Sequence, residues 1–278
     1  MSAPSILEWV GRREEQISRL DQSTARRLAA TVGDAPSDVG EPMPLLAHWC
    51  AFTPHATMSE LSTDGHPKLG GFLPPVQLKR RMWAGGALTF HAPLHVGADI
   101  TRLSKIDAIV EKEGAAGPMV FVTVVHELYE DATHAVSEVQ DIVYLDIPER
   151  YSPPKPKPVW ENADLVEAVD VSEALLFRYS AATFNAHRIH YDLPYAQKVE
   201  KYPGLVVHGP LQATLLMRAA LQHENRHPHR FSFRGIHPMF HFDDMHLFGH
   251  NTSEGMTLCT GLVGGHQGMQ AKLIWKET

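Results

Sequence analysis

One short segment, Pro153-Pro-Lys-Pro-Lys-Pro158, constrains the fold of this chain more than any other. Proline offers no backbone N–H and fixes φ, so the segment fits neither a helix interior nor a central strand. Between the prolines stand only lysines, which supply nothing for a core, and the segment reads as a stiff linker. It divides the 278 residues into an N-terminal domain over 1–150, a linker over 151–158 and a C-terminal domain over 159–278.

Both parts follow the same order of elements. In the first, residues 5–32 have apolar positions near helical spacing (Ile6, Leu7, Val10, Ile17, Leu20, Leu28) and predict one amphipathic helix. A short apolar helix is expected from Leu45 to Phe52, then a long irregular loop over 53–84 that holds Gly70-Gly71 and Pro74-Pro75. From Gly85 the pattern turns strand-like at Leu88–Phe90, Ile100–Val110, Met119–Leu128 and Ala135–Leu145, with turns at Gly114–Pro118 and Glu130–Thr133. In the second part Ser172 caps a helix running to Thr183, a polar loop spans Asn185–Asp192, and Pro210 opens an apolar helix over Leu211–Leu221. Strands are expected at 230–236, 238–242, 256–263 and 269–275, with Gly264-Gly265 and Gly268 at a hairpin. Helices first and antiparallel strands second, twice over, make the class α+β. Phe90-His-Ala-Pro-Leu and Phe233-Arg-Gly-Ile-His-Pro-Met look alike at corresponding points. At such low identity, duplication and two unrelated α+β domains both fit.

Composition excludes several functions. A net charge of −7 does not suit a surface that tracks phosphates, so no nucleic-acid partner is expected. No apolar run reaches the ~18 residues of a membrane span. Cys50 and Cys259 cannot form a disulfide framework and fit a reducing compartment. The start, Met1-Ser-Ala-Pro-Ser-Ile, lacks the basic and apolar regions of a secretory signal, so a cytoplasmic protein is expected. With 18 histidines, no single histidine is informative alone. His237, His241, His246 and His250 crowd one region, but they lie across strand-like sequence interrupted by Pro238, so no metal site is expected. Nucleophile-elbow, P-loop and dinucleotide-binding patterns are missing.

Two segments carry chemistry. Phe184-Asn-Ala-His-Arg-Ile-His-Tyr-Asp192 is a dense polar run that is either a solvated turn or the lining of a site. There the neutral imidazole of His190 suits a base near pH 7, and Asn185 suits the orientation of a water or a carbonyl. Pro203-Gly-Leu-Val-Val-His-Gly-Pro210 brings Gly209 to the start of a buried helix, where free N–H groups face outward. Such donors stabilise a thioester oxygen that gains negative charge. An ordinary helix-start glycine is the plain alternative.

Together these segments resemble the MaoC-like enoyl-CoA hydratases. Their signature loop has an aspartate, an asparagine two positions on and a catalytic histidine three further, then a His-Gly roughly twenty residues later. His190 falls on the histidine and Gly209 on the His-Gly glycine, whereas Asn185 stands in place of the aspartate and His187 in place of the asparagine. Phe72-Leu-Pro-Pro and Arg80-Arg-Met-Trp-Ala-Gly-Gly86 in the first part, with the stretch Val120–Tyr144, are similar to the double-hotdog branch. That branch includes mitochondrial 3-hydroxyacyl-thioester dehydratases and bacterial itaconyl-CoA and mesaconyl-C4-CoA hydratases.

The resemblance implies a double hotdog, two helix-wrapped antiparallel sheets paired within one chain, as a monomeric pseudo-dimer or a homodimer. It implies a hydro-lyase acting on a short enoyl-CoA, such as a C5-dicarboxyl thioester hydrated to citramalyl-CoA. No cofactor is implied beyond the CoA of the substrate. A general 3-hydroxyacyl-thioester dehydratase and a non-catalytic acyl-thioester-binding subunit are the alternatives. His190 is expected to move both protons, Asn185 to hold the water and Gly209 to meet the thioester oxygen. Arg188, His187, His208 and Asp192 are expected around the substrate, with Arg188 paired to a carboxylate, to the CoA phosphates or simply to Asp192. Asp192 either orients His190 or caps the next helix.

Overall fold

In the computed structural model, which describes residues 5–114 and 117–277, strand pairing joins both halves of the chain into one sheet. The first half supplies β1 (Arg13–Arg19), α1 (Gln22–Val32), β2 (Arg80–Phe90), β3 (Asp99–Gly114), β4 (Gly117–Glu130) and β5 (Thr133–Leu145). The second supplies β6 (Leu165–Ala168), α2 (Glu173–Ala182), α3 (Leu193–Lys198) and α4 (Gly209–Glu224). Its remaining strands are β7 (Pro228–Gly235), β8 (Met245–Asn251), β9 (Gly255–Leu262) and β10 (Gln267–Trp275). The ten strands run in the order β1-β3-β4-β5-β2-β7-β10-β9-β8-β6, with every neighbouring pair antiparallel.

Reading each half from its outer edge gives one topology: first strand, third, fourth, fifth, second. The second strand of each half meets its counterpart at the centre, from Gly85 opposite Arg234 to Thr89 opposite Arg230. These are the strands whose ends look alike in sequence, so duplication accounts for both observations. The joint needs close backbone approach. A Cβ on Gly85 would stand 2.6 Å from the Phe233 carbonyl oxygen, and one on Gly86 2.6 Å from that of Val139. The two sheets, expected to pair within one chain, do so edge to edge.

The sheet wraps α4, whose residues Leu211, Leu215, Leu216, Met217 and Ala220 are buried among side chains of both halves. Leu28 and Val32 of α1 enter the same core, and Arg218 Nη1 donates to the Val32 carbonyl at 2.8 Å. One core therefore serves both halves.

The N-terminal expectation of one helix over 5–32 is corrected. Ile6–Trp9 forms a 3-10 turn, Gly11 sits at φ 85, β1 pairs with β3, and only then does α1 begin. Asp21 caps α1 by accepting from the Thr24 N–H at 3.0 Å, and Gly33 in the left-handed region ends it. Ile17 is 67% exposed on the edge strand, so it was never part of a helical stripe. In 53–84, β2 already begins at Arg80, a capped 3-10 turn forms at Met58–Glu60, and Ser62–His66 make a small hairpin. Leu45–Phe52 shortens to a 3-10 turn over Ala47–Cys50. Residues 238–242 are not a strand. Asp243 accepts from the Phe240 N–H at 2.8 Å in a turn, and the missed strand β8 follows at Met245. The helix capped by Ser172, the helix opened by Pro210 and the glycine hairpin at 264–265 form as expected. The turn placed at Gly114–Pro118 includes 115–116, outside the described residues.

Candidate active site

The catalytic-type loop is built by its own caps. Ser172 starts α2 through the Leu175 N–H, and Phe184 at φ 49 turns the chain out of its end. The Asn185 N–H then donates to the Ser180 carbonyl at 2.8 Å, while Asn185 Oδ1 accepts from the His187 N–H at 3.0 Å. This Asx turn engages the oxygen of Asn185 in the loop, and its Nδ2 hydrogens make no hydrogen bond within that turn.

His190 ends the 3-10 turn Arg188–His190 and is buried. Its Nδ1 lies 2.7 Å from the Val206 carbonyl oxygen. A carbonyl only accepts, so Nδ1 carries the proton and Nε2 of the neutral ring holds the free lone pair. Burial pushes the His190 pKa down to about 4, against the Val206 bond that raises it. The ring lies flat on His208, with centroids 3.6 Å apart. His208 is itself buried, bonds Ser180 Oγ through Nε2 at 2.8 Å, and is held well below the usual histidine range by burial. His187 packs edge-on against His190 at 5.4 Å and is kept neutral in the same way.

His208 is also the residue before α4, and Gly209 opens the helix with Pro210 behind it. A Cβ on Gly209 would meet the Trp83 carbonyl oxygen at 3.7 Å and Met269 Cε at 3.8 Å, which is ordinary contact. Its φ is not positive, so no backbone strain demands glycine here. What the missing side chain leaves is approach to the helix N-terminus.

Arg188 and Asp192 bond to one another, with Arg188 Nη2 2.8 Å from Asp192 Oδ2. Asp192 Oδ1 also accepts from the Tyr195 N–H at 3.1 Å, capping α3. Arg188 further donates to the Thr63 carbonyl and lies over the Tyr195 ring. Both residues are thus occupied structurally, the plainest of the expectations for each, and His190 Nδ1 bonds Val206, not Asp192.

The first half completes the site, through residues that sequence reasoning passed over. The hairpin Ser62–His66 lies against the loop: the Arg188 N–H donates to the Asp64 carbonyl at 2.9 Å. A Cβ on Gly65 (φ 94) would fall 1.8 Å from the Ala186 carbonyl oxygen. Asp64 Oδ2 is 2.8 Å from His66 Nδ1, and the His66 and His187 rings are 4.1 Å apart. Burial, with the charge of Arg81, lowers His66 to about 4. The signal was there in Asp64-Gly65-His66-Pro67, a turn sequence with two titratable groups in a region read as irregular. Asp64, His66 and His187 each place one ligand-type atom within 4.8 Å of the others. The carboxylate is already committed to His66, and a neighbouring arginine charge opposes a cation, so the trio reads as an Asp64–His66 hydrogen bond packed on the His187 ring. His237, His241, His246 and His250 form no comparable group among the described residues.

Comparison with known proteins identifies the family and the fold. The family model of the hydroxyacyl-thioester dehydratases type 2 matches residues 46–241. Mesaconyl-C4-CoA hydratase of Chloroflexus aurantiacus is 44% identical over 244 residues, 86% of this chain and 87% of that protein. A MaoC-like dehydratase from Phytophthora capsici superimposes with TM-score 0.73 at 12% identity, covering 98% of this chain and 97% of its own. A Mycobacterium tuberculosis protein described as a double hotdog superimposes with TM-score 0.57 at 12% identity, covering 96% of each chain. At such identities the structural likeness concerns the fold alone, and that fold is the double hotdog. With the family model spanning most of the chain and a relative this similar, the chain belongs to the hydroxyacyl-thioester dehydratase type 2 family of MaoC-like hotdog proteins.

Proposed function

We propose that this protein is an acyl-CoA hydratase, a hydro-lyase that adds water across the double bond of a C5-dicarboxyl enoyl thioester of the mesaconyl-C4-CoA kind. The observation that carries the reading is the pairing of His190, its Nε2 lone pair freed by the Val206 bond, with the open start of α4 at Gly209. His190 Nε2 takes a proton from water as the water oxygen attacks the β-carbon. The electron pair moves to the thioester oxygen, and the enolate is met by the Gly209 N–H. His190 then returns the proton to the α-carbon, so atoms and charge balance with one base. Asn185, an amide, transfers no proton; its Nδ2 hydrogens hold the water by donating to it. These proton transfers call on no cofactor beyond the CoA of the substrate. The substrate class follows the Chloroflexus relative, whose name states mesaconyl-C4-CoA.

Two subsidiary readings accompany this one. The central β2–β7 joint pairs two sheets of one topology within the chain, which supports a monomeric pseudo-dimer or a homodimer of such chains. No helix among the described residues is long and apolar enough to cross a membrane. The buried free thiols Cys50 and Cys259 fit a cytoplasmic enzyme. Steady-state turnover of mesaconyl-C4-CoA by the purified protein, with His190→Ala as control, tests the proposal. Turnover at the wild-type rate in His190→Ala removes the assignment of His190, and no turnover of mesaconyl-C4-CoA by the wild type removes the substrate.

A further inference from the structure

The substrate class proposed above carries a free carboxylate, and its position is fixed by chemistry. In mesaconyl-C4-CoA the carboxylate is attached to the β-carbon, the atom that the water attacks. Its cationic partner must therefore stand beside the imidazole that activates the water, not at the far end of the pocket. Three arginines lie in this region. Arg80 is buried and paired, with Nε 2.8 Å from Glu200 Oε2 and its guanidinium 4.5 Å from the Tyr202 ring centre. Arg188 is held by Asp192, Thr63 and Tyr195.

Arg81 is different. It is half-buried and forms no salt bridge among the described residues. In the β2–β5 ladder it stands opposite Tyr144, and Trp83, two residues on, stands opposite Ile142. Strand alternation puts Arg81 and Trp83 on one face, away from Arg80 and Met82, which go to Glu200 and Tyr202. The Trp83 carbonyl borders Gly209 at the start of α4. One strand thus passes the helix start at Trp83 and the imidazole cluster at Arg81, whose charge is felt at both His66 and His187. The Tyr144 hydroxyl is buried within hydrogen-bonding reach of the Arg81 guanidinium and has no other partner. The Asp64 carboxylate also feels the Arg81 charge but is bonded to His66. A cation without a salt bridge, beside a buried hydroxyl that bonds nothing else, makes an incomplete carboxylate receptor.

We propose that Arg81 receives the free carboxylate of the substrate, with the Tyr144 hydroxyl as second donor, and so selects dicarboxyl thioesters over simple enoyl thioesters. The proposal rests on the dicarboxyl reading of the substrate. A thioester without the carboxylate leaves the Arg81 charge unpaired beside the site, and that penalty is the source of selectivity.

The test measures kcat/KM for mesaconyl-C4-CoA and for crotonyl-CoA, which has no carboxylate, in the wild type, Arg81→Gln, Arg81→Lys and Tyr144→Phe. Arg81→Gln is expected to lower the ratio of the two kcat/KM values by about 10²-fold, chiefly through KM for the dicarboxyl substrate. Arg81→Lys is expected to retain part of that selectivity, and Tyr144→Phe to lose several-fold of it. Should Arg81→Gln fail to fold, Tyr144→Phe, which removes one atom, carries the test. A ratio unchanged in the folded variants, with wild-type turnover of mesaconyl-C4-CoA intact, overturns the role of Arg81 alone. Wild-type turnover of crotonyl-CoA without any of mesaconyl-C4-CoA overturns the substrate reading, and the role of Arg81 with it.

Discussion

An imidazole works as a base only while neutral, and burial keeps His190 neutral far below the usual histidine range, near a pKa of about 4. The acid limb of kcat/KM is therefore expected near pH 4, with a flat profile from pH 6 to 8. A limb near 6.5 in stopped-flow or steady-state pH profiles would show that the free enzyme's base is some other group. The same burial bears on stability. His66, His126 and His190 have folded pKa values of about 4, below the unfolded value of 6.5. Between these pH values the unfolded chain binds more protons than the native one. Stability is accordingly full above pH 6.5 and declines as pH falls toward 4. Thermal melts across pH 4–7 check this, and a melting temperature that rises on acidification contradicts it. His190→Ala is expected to cost at least ~10²-fold in kcat, the scale of a lost general base. Asn185→Ala is expected to cost about ten-fold, because only the hold on the water is lost. Asn185→Asp keeps the Oδ acceptor for the His187 N–H but replaces donors with an acceptor. It should remain folded and active with an altered pH profile, and a profile identical to wild type argues against the donor role of Asn185.

The elements that position these residues behave differently under substitution. At the start of α4, Gly209→Ala adds a methyl group with contacts of 3.7 and 3.8 Å, so the fold accepts it. Melting temperature should stay within a few degrees of wild type, a change under about 1 kcal/mol. The kcat/KM is nevertheless expected to fall ten-fold or more, because the methyl stands where a thioester approaches the N–H group. Unchanged kcat/KM in Gly209→Ala places the oxyanion elsewhere. The Ser62–His66 hairpin gives the opposite pattern. Gly65→Ala combines φ 94 with a Cβ 1.8 Å from the Ala186 carbonyl, so the hairpin must leave the catalytic loop. A loss of about 2–4 kcal/mol in stability is expected together with a fall in kcat. Chemical denaturation and turnover of the one variant measure both, and a stable, fully active Gly65→Ala shows that the hairpin does not hold the loop.

At the scale of the molecule, the two halves are copies of one strand topology joined through their second strands, and each half gives the site something the other lacks. The second half brings His190, Asn185 and the start of α4, while the first brings the hairpin and the β2 face with Arg81. Gly85→Val at the joint is expected to lower stability by several degrees, since its Cβ would meet the Phe233 carbonyl at 2.6 Å. What the sequence alone determined was local or carried by motif. The capping Ser172, the helix behind Pro210 and the glycine hairpin are local backbone chemistry, and the spacing of Asn185, His190 and Gly209 resembles a family pattern. Tertiary structure alone decided the rest. Residues 13–19 carry helix formers yet form a strand, because pairing with β3 outweighs an intrinsic preference worth tenths of a kcal/mol per residue. Arg188 and Asp192 admit both substrate and structural roles in the sequence, and only the fold shows them bonded to each other. Arg81 and His66 lie more than a hundred residues from the loop they serve, and no local pattern records which distant strand will pass beside a helix. Burial, and with it the neutral state of the His190 imidazole, belongs to the packed chain and not to any segment of it.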